Sequence, residues 1–278
     1  MSELLPLVAV LAGVGALAGF TAGLFGIGGG AVMVPALFFA FRALGVADAV
    51  VMHGAVATSA AVIIVNGLRS VAAHRARGSV DMDLVLPRRG WNSYALWTGL
   101  GSFAAALWLA PRLSSSVLTL VFAGVALGVA LQFVLGRPDR VLRAGVPGGA
   151  GPPLIGASIG ALSAIMGIGG GSLSVPFLTL CGVPVRRAVG TAAGFGVAIA
   201  VPATLGFIVS GWGVPGRAPG SLGYVNLVGF ALIVVCAWPA VPMGTALAHR
   251  LDPAVLRRVF GLALAAVALN MARVAVLQ

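Results

Sequence analysis

Two stretches of this 278-residue chain cluster glycine within apolar surroundings: GIGGGAVMVP at 26–35 and GIGGGSLSVP at 167–176. Glycine in a helix interior costs about 1 kcal/mol relative to alanine, so three in a row with a fourth nearby favour a break. A broken helix leaves N–H groups without partners where its second part begins, at the positive end of the helix dipole. The chemistry on offer is coordination of an anion by backbone N–H groups, with no buried cation required. Gly28, Gly29 and Gly30 are the candidate ligands in the first stretch, and Gly169, Gly170 and Gly171 in the second. Thr58 and Ser59, on a later apolar run, and Thr191, at the matching place of another, can add hydroxyl donors. Two other readings compete. Gly26-x-Gly28-x-x-Ala31 has the spacing of a dinucleotide fingerprint, but that motif needs a preceding strand in a βαβ unit, which is lacking here. Small residues at short spacing also let membrane helices pack closely.

The remaining reactive groups are sparse. His53 has a side chain suited to carrying protons, or to packing at an interface. His74 falls among arginines and is expected in a cytoplasmic loop. Asn66 shares a run with Thr58 and Ser59, and Arg69 either snorkels to the interface or faces a pathway. Cys181 follows the second glycine stretch by ten residues. It is either a thiol near the site or an inert buried cysteine. The six acids, Glu3, Asp48, Asp81, Asp83, Asp139 and Asp252, lie in loops or at the ends of apolar runs. With no HExxH, no paired membrane carboxylates and no CxxC, an enzyme or a metal centre has no residues to run on. No cofactor is expected.

The elements that must hold these groups are membrane helices. Hydrophobic residues make up 60% of the chain and charged residues 8%. The mean hydropathy of +1.09 is far above that of soluble domains. Ten apolar runs recur at 4–25, 30–41, 46–68, 91–111, 115–135, 153–166, 172–183, 188–211, 222–246 and 254–277. The longest reach the ~20 residues that span hydrocarbon. The runs at 30–41 and 172–183 fall short and read as half-helices or re-entrant segments. The N-terminus lacks the basic cluster of a signal peptide, so the first run is expected to stay. The fold class is all-α and polytopic, with eight to ten hydrophobic segments.

The chain also reads as a duplication. GIGGG recurs at an offset of 141, with Pro35 matched by Pro176. AVAT at 55–58 then pairs with AVGT at 188–191, Val80-Asp81 with Val225-Asn226, and RLSSSVLTLVF from Arg112 with RLDPAVLRRVF from Arg250. The halves are 1–136 and 153–278, joined by a polar Gly/Pro/Arg linker at 137–152 that is expected to be cytoplasmic. All 17 basic residues are arginine and the net charge is +11. In a membrane protein such charge gathers in cytoplasmic loops and does not signal nucleic acid. An arrangement that leaves only Arg42, Arg112, Arg217 and Arg273 outside gives inverted repeats, whose substrate sites lie near the midplane. Eight full crossings with parallel repeats is the alternative.

The paired GIGGG-x4-P stretches, AVATS at 55–59, AVGTA at 188–192 and HRARGSVD at 74–81 resemble the sulfite exporter TauE/SafE family over nearly the whole chain. The resemblance implies a secondary transporter in a bacterial cytoplasmic membrane. Its partners would be lipid and a small sulfur-containing anion, sulfite or an organosulfonate, bound by the glycines and hydroxyls named above. Export fits the lack of a midplane carboxylate, since an inside-negative potential drives anions out by ~2.3 kcal/mol per charge per 100 mV. Cation-coupled uptake of a sulfur or carboxylate anion, and an anion channel, stay open, as does a homo-oligomeric state. The second half departs from the first where Ala192 replaces Ser59 and where His74 has no counterpart.

Overall fold

The computed structural model describes residues 4–25, 28–86, 90–135, 141–248, 250 and 252–276. Glu3, Gly26, Ile27, Arg88, Arg89, Arg137, Asp139, Arg140 and the 136/137 boundary lie outside the described residues, as does the Arg257 side chain. Among those described, the chain is all-α apart from one hairpin of two-residue strands. Each apolar run becomes helix. In the first half these are α1 (Leu4–Phe25), α2 (Gly30–Ala43), α3 (Val51–Arg75), the short α4 (Met82–Val85), α5 (Tyr94–Ala104) and α6 (Ser115–Leu135). The second half holds α7 (Ala157–Met166), α8 (Gly171–Leu180), α9 (Val185–Ser210), the hairpin β1 (Ser221–Leu222) and β2 (Val225–Asn226), α10 (Leu227–Ala248) and α11 (Pro253–Val276). A wide π turn extends α5 over Ala105–Leu109, and another leads into α7 over Pro152–Gly156.

Among the described residues four helices, α3, α6, α9 and α10, are long and apolar enough to cross a membrane. At 1.5 Å per residue, α2 with 14 residues and α8 with 10 fall well short of a ~30 Å hydrocarbon core. The two short helices are the ones that follow the glycine stretches.

Helices from opposite halves lie against one another. Along α1, Gly15, Gly19 and Gly23 meet Ile233, Ala237 and Val241 of α10 in turn, so these two helices run parallel. A Cβ at Gly19 would stand 2.4 Å from the Ala237 carbonyl oxygen, and one at Gly23 would stand 2.0 Å from that of Val241. Only glycine permits such backbone approach. In the same way α5 takes α7: Gly101 lies against Ala157, and Gly160 against Thr98. α3 and α9 cross the centre antiparallel, with Gly67 against Ala193 and Val197 and, further along α3, His74 against Gly190. α6 and α11 pack together beside this core, where Gly261 sits on Ala130 and Phe133.

Candidate functional site

α1 does not continue into α2. Gly28 and Gly29 take positive φ of 72° and 79°, conformations that reverse the chain and that residues with a Cβ seldom adopt. α2 therefore starts beside Ala18 of α1 and runs back along α3, bringing Phe41 against Gly54. The second stretch repeats the manoeuvre. Gly167 at φ 62° ends α7, Gly169 turns at φ 80°, and Gly170 stands at the N-cap of α8.

These two breaks meet. A Cβ on Gly30 would lie 2.2 Å from the Gly167 carbonyl oxygen and 2.5 Å from Ile168. Gly167 in turn touches Val56 of α3, and Ser59 Oγ donates to the Gly167 carbonyl at 2.7 Å. Gly28 packs on Ile63 of α3, and Gly170 on Ile199 and Gly196 of α9. Gly28–Gly30 and Gly169–Gly171 are all buried. The N–H groups of Gly171, Ser172 and Leu173 open α8 with no acceptor among the described residues. The structure thus brings the six candidate glycines and Ser59 to one buried centre.

Thr58 and Thr191 lie elsewhere on their helices, in reciprocal positions. The N–H of Asn226 donates to Thr58 Oγ1 at 2.9 Å, and the N–H of Asp81 donates to Thr191 Oγ1 at 2.9 Å. Each threonine thus holds the loop that follows the other half's long helix. Asn226 also caps α10 by accepting from the Gly229 N–H at 2.8 Å, and Asp81 caps α4 through the Asp83 N–H at 3.2 Å. Asp81 adds an ion pair to Arg187 at 3.3 Å. Both threonine hydroxyls keep a proton to give.

The other candidates are dispersed. His74 is buried in α3, with Nε2 3.1 Å from the Gly23 carbonyl, because the last turn of α3 packs on the end of α1. It is not in a loop. His53 lies near the opposite end of α3, with Nε2 3.0 Å from the Ala110 carbonyl and its ring stacked on Tyr224. Arg69 sets its guanidinium 4.0 Å over the Trp238 ring of α10, away from the glycines. Cys181 is buried past the far end of α8, about 15 Å from Gly171 at 1.5 Å per residue. The linker docks there, through the N–H groups of Leu142 and Arg143 on the Leu180 carbonyl and that of Gly145 on Cys181. Ser172 and Ser174 open α8 as buried polar residues where Ala31 and Met33 open α2. The contrast between GGGSLS and GGGAVM was the available signal for them.

A small cleft at the end of α3 is lined by Phe41, Val46, Val50, Gly54, Arg217, Ala218, Ser221 and Tyr224. Arg217 spends its donors on the Val214 and Gly223 carbonyls and so ties this loop together. Burial raises the Tyr224 phenol above its ordinary pKa, against the opposing pull of Arg217.

The model of the family described as "Sulfite exporter TauE/SafE" matches residues 11–271. The chain is 34% identical over 263 residues to a "Probable membrane transporter protein" of Haemophilus influenzae, covering 93% of this chain and 95% of that one. It is 25% identical over 243 residues to a protein of the same description from Methanocaldococcus jannaschii, covering 87% and 84%. No solved structure matches.

Proposed function

The chain belongs to the sulfite exporter TauE/SafE family and is a multi-pass membrane transporter; from that premise we propose that it exports a small sulfur-containing anion, sulfite or an organosulfonate, across a bacterial cytoplasmic membrane. The observation that carries this reading is the meeting of two broken helices at one buried centre. The N–H groups of Gly171, Ser172 and Leu173 that open α8 have no acceptor among the described residues, and the start of α2 meets the second break at Gly167, so the positive ends of two helix dipoles come together there. Gly28–Gly30 and Gly169–Gly171 form the anion site, with Ser59 beside them. Thr58 on α3 and Thr191 on α9, which accept from the loop N–H groups, add their hydroxyl protons as donors.

The halves 1–136 and 153–278 act in this reading as inverted repeats joined by the 137–152 linker. Antiparallel α3 and α9 support it, as do the exchanged pairs α1 with α10 and α5 with α7. So do the reciprocal threonine contacts. Alternating access then consists of releasing one threonine-held loop while the other stays closed. Export is favoured because the described acids, Asp48, Asp81, Asp83 and Asp252, all lie outside the four long spanning helices. A buried carboxylate that could relay coupling protons is not among them.

The test is flux in proteoliposomes under an imposed potential, with sulfite, sulfoacetate, thiosulfate, sulfate and a dicarboxylate compared. Saturable sulfite or sulfonate movement driven by potential alone is expected, and Gly29→Leu and Gly170→Leu should abolish it while the protein still inserts. Undiminished flux in both variants would remove the glycines from the site. Flux that waits for a proton or sodium gradient would replace export with coupled uptake.

A further inference from the structure

Asn66 is 1% exposed in the middle of α3, and neither its amide nitrogen nor its amide oxygen has a hydrogen-bond partner. An amide offers two donors and an acceptor with two lone pairs, and burying such groups unpaired is unfavourable enough that each case calls for an explanation. Its direction is fixed by its neighbours on the same helix face, three residues before and four after. Ile63 packs on Gly28, and Ser70 Oγ donates to the Ala22 carbonyl at 3.4 Å. Asn66 lies between them, so it faces the first glycine break where α1 gives way to α2. On the same face Ser59 reaches the Gly167 carbonyl, Ser70 that of Ala22 and His74, through Nε2, that of Gly23. Among the described residues, by contrast, neither polar atom of the Asn66 side chain has a hydrogen-bond partner. Its place in the other half, set by the pairing of Thr58 with Thr191, is taken by apolar Ile199.

We propose that Asn66 is the specificity-determining ligand of the anion site and selects a monoanion that still carries a proton, of the hydrogensulfite class, over a fully deprotonated oxyanion. This rests on the reading that the glycine breaks bind the anion. The helix start supplies donors only, and it is satisfied by any oxyanion. The amide differs because its oxygen can only accept. A hydrogensulfite-like ligand takes the Nδ2 proton on one oxygen and gives its own proton to Oδ1, so both ends of the amide are paired. A dianion places a charged oxygen against Oδ1 or leaves it unpaired, and sites built to pair a hydroxyl reject partners lacking it strongly.

The experiment measures flux in proteoliposomes of the full chain at fixed total sulfite across a pH series, with sulfate as the anion that has no proton to give near neutrality. Wild type, Asn66→Leu, Asn66→Ser and Gly170→Leu are compared, and the melting temperature of each is recorded. Wild-type flux should fall as pH rises through the second ionisation of sulfite, with sulfate moving poorly throughout. Asn66→Leu should raise KM for sulfite about ten- to hundredfold, the loss expected for a hydrogen bond to a charged group. It should also flatten the pH profile while melting no lower than wild type, because no protein contact is lost. Asn66→Ser should recover part of the KM. Unchanged KM and pH profile in Asn66→Leu, with flux abolished by Gly170→Leu, would overturn the role of Asn66 and leave the anion site standing. A melting temperature that drops in step with flux would overturn it as well, by making the residue structural. Absence of anion flux in wild type would overturn both readings.

Discussion

At the scale of single residues, Thr58 and Thr191 make the same contact in different settings. Thr58 accepts from the N–H of Asn226, which is 5% exposed, whereas the Asp81 side chain held near Thr191 is 28% exposed. A buried N–H that loses its acceptor costs ~1–3 kcal/mol, and one that water can reach costs less. Thr58→Val should therefore lower the melting temperature in detergent more than Thr191→Val. Equal or reversed losses would show that the loops are held by something else. The equivalence of the two threonines was legible in the sequence, because AVAT and AVGT recur in register. Their partners were not, since Asn226 lies 168 residues from Thr58 and nothing local marks that pairing. The burial of His74 was hidden for a related reason: its acceptor, Gly23, belongs to a helix two elements earlier.

Among the elements, glycine does two jobs that composition cannot separate. At 28–29 and 167–169 it turns the chain, and at 15, 19 and 23 it lets α1 approach α10. The breaks were readable because three glycines in a row defeat a helix. The stripe on α1 was less so, because Gly13 belongs to the same run and a Cβ there would meet nothing within 4 Å. Comparing the two is informative. Gly19→Ala forces the α10 backbone to move and should cost about 2 kcal/mol, as overpacking generally does. Gly13→Ala should hold or gain up to about 1 kcal/mol from helix propensity. Thermal unfolding of the purified variants gives the order, and a harmless Gly19→Ala would mean that α1 and α10 are not packed this closely.

For the molecule as a whole, each apolar run led to a helix, since few other structures can bury so much hydrocarbon-like sequence, while the four-residue α4 (Met82–Val85) lies in a polar stretch that no run marked. Which helices touch did not follow, because hydropathy carries no information on neighbours. The proposed inversion has a direct check. The loops after α3 and α9 hold equivalent places in the two halves, with Arg77 and Trp212 exposed in them. In a Cys181→Ser, Cys236→Ala background, Arg77→Cys and Trp212→Cys should react with an impermeant thiol reagent from opposite sides of the membrane. Ala144→Cys in the linker should report with Arg77→Cys. Labelling of both loops from one side would make the repeats parallel.

The pairing of α1 with α10 also sets a schedule for biogenesis. α1 leaves the ribosome ~200 residues ahead of the helix it packs on, an interval of roughly 10–40 s at ordinary rates of synthesis. Throughout that wait its glycine stripe faces lipid or a chaperone in place of α10. A groove of Gly15, Gly19 and Gly23 suits the delay, because it has few side-chain atoms with which to seize an early and incorrect neighbour. It grips only when a backbone of matching shape arrives, and the last third of the chain thereby governs when the first helix is finished.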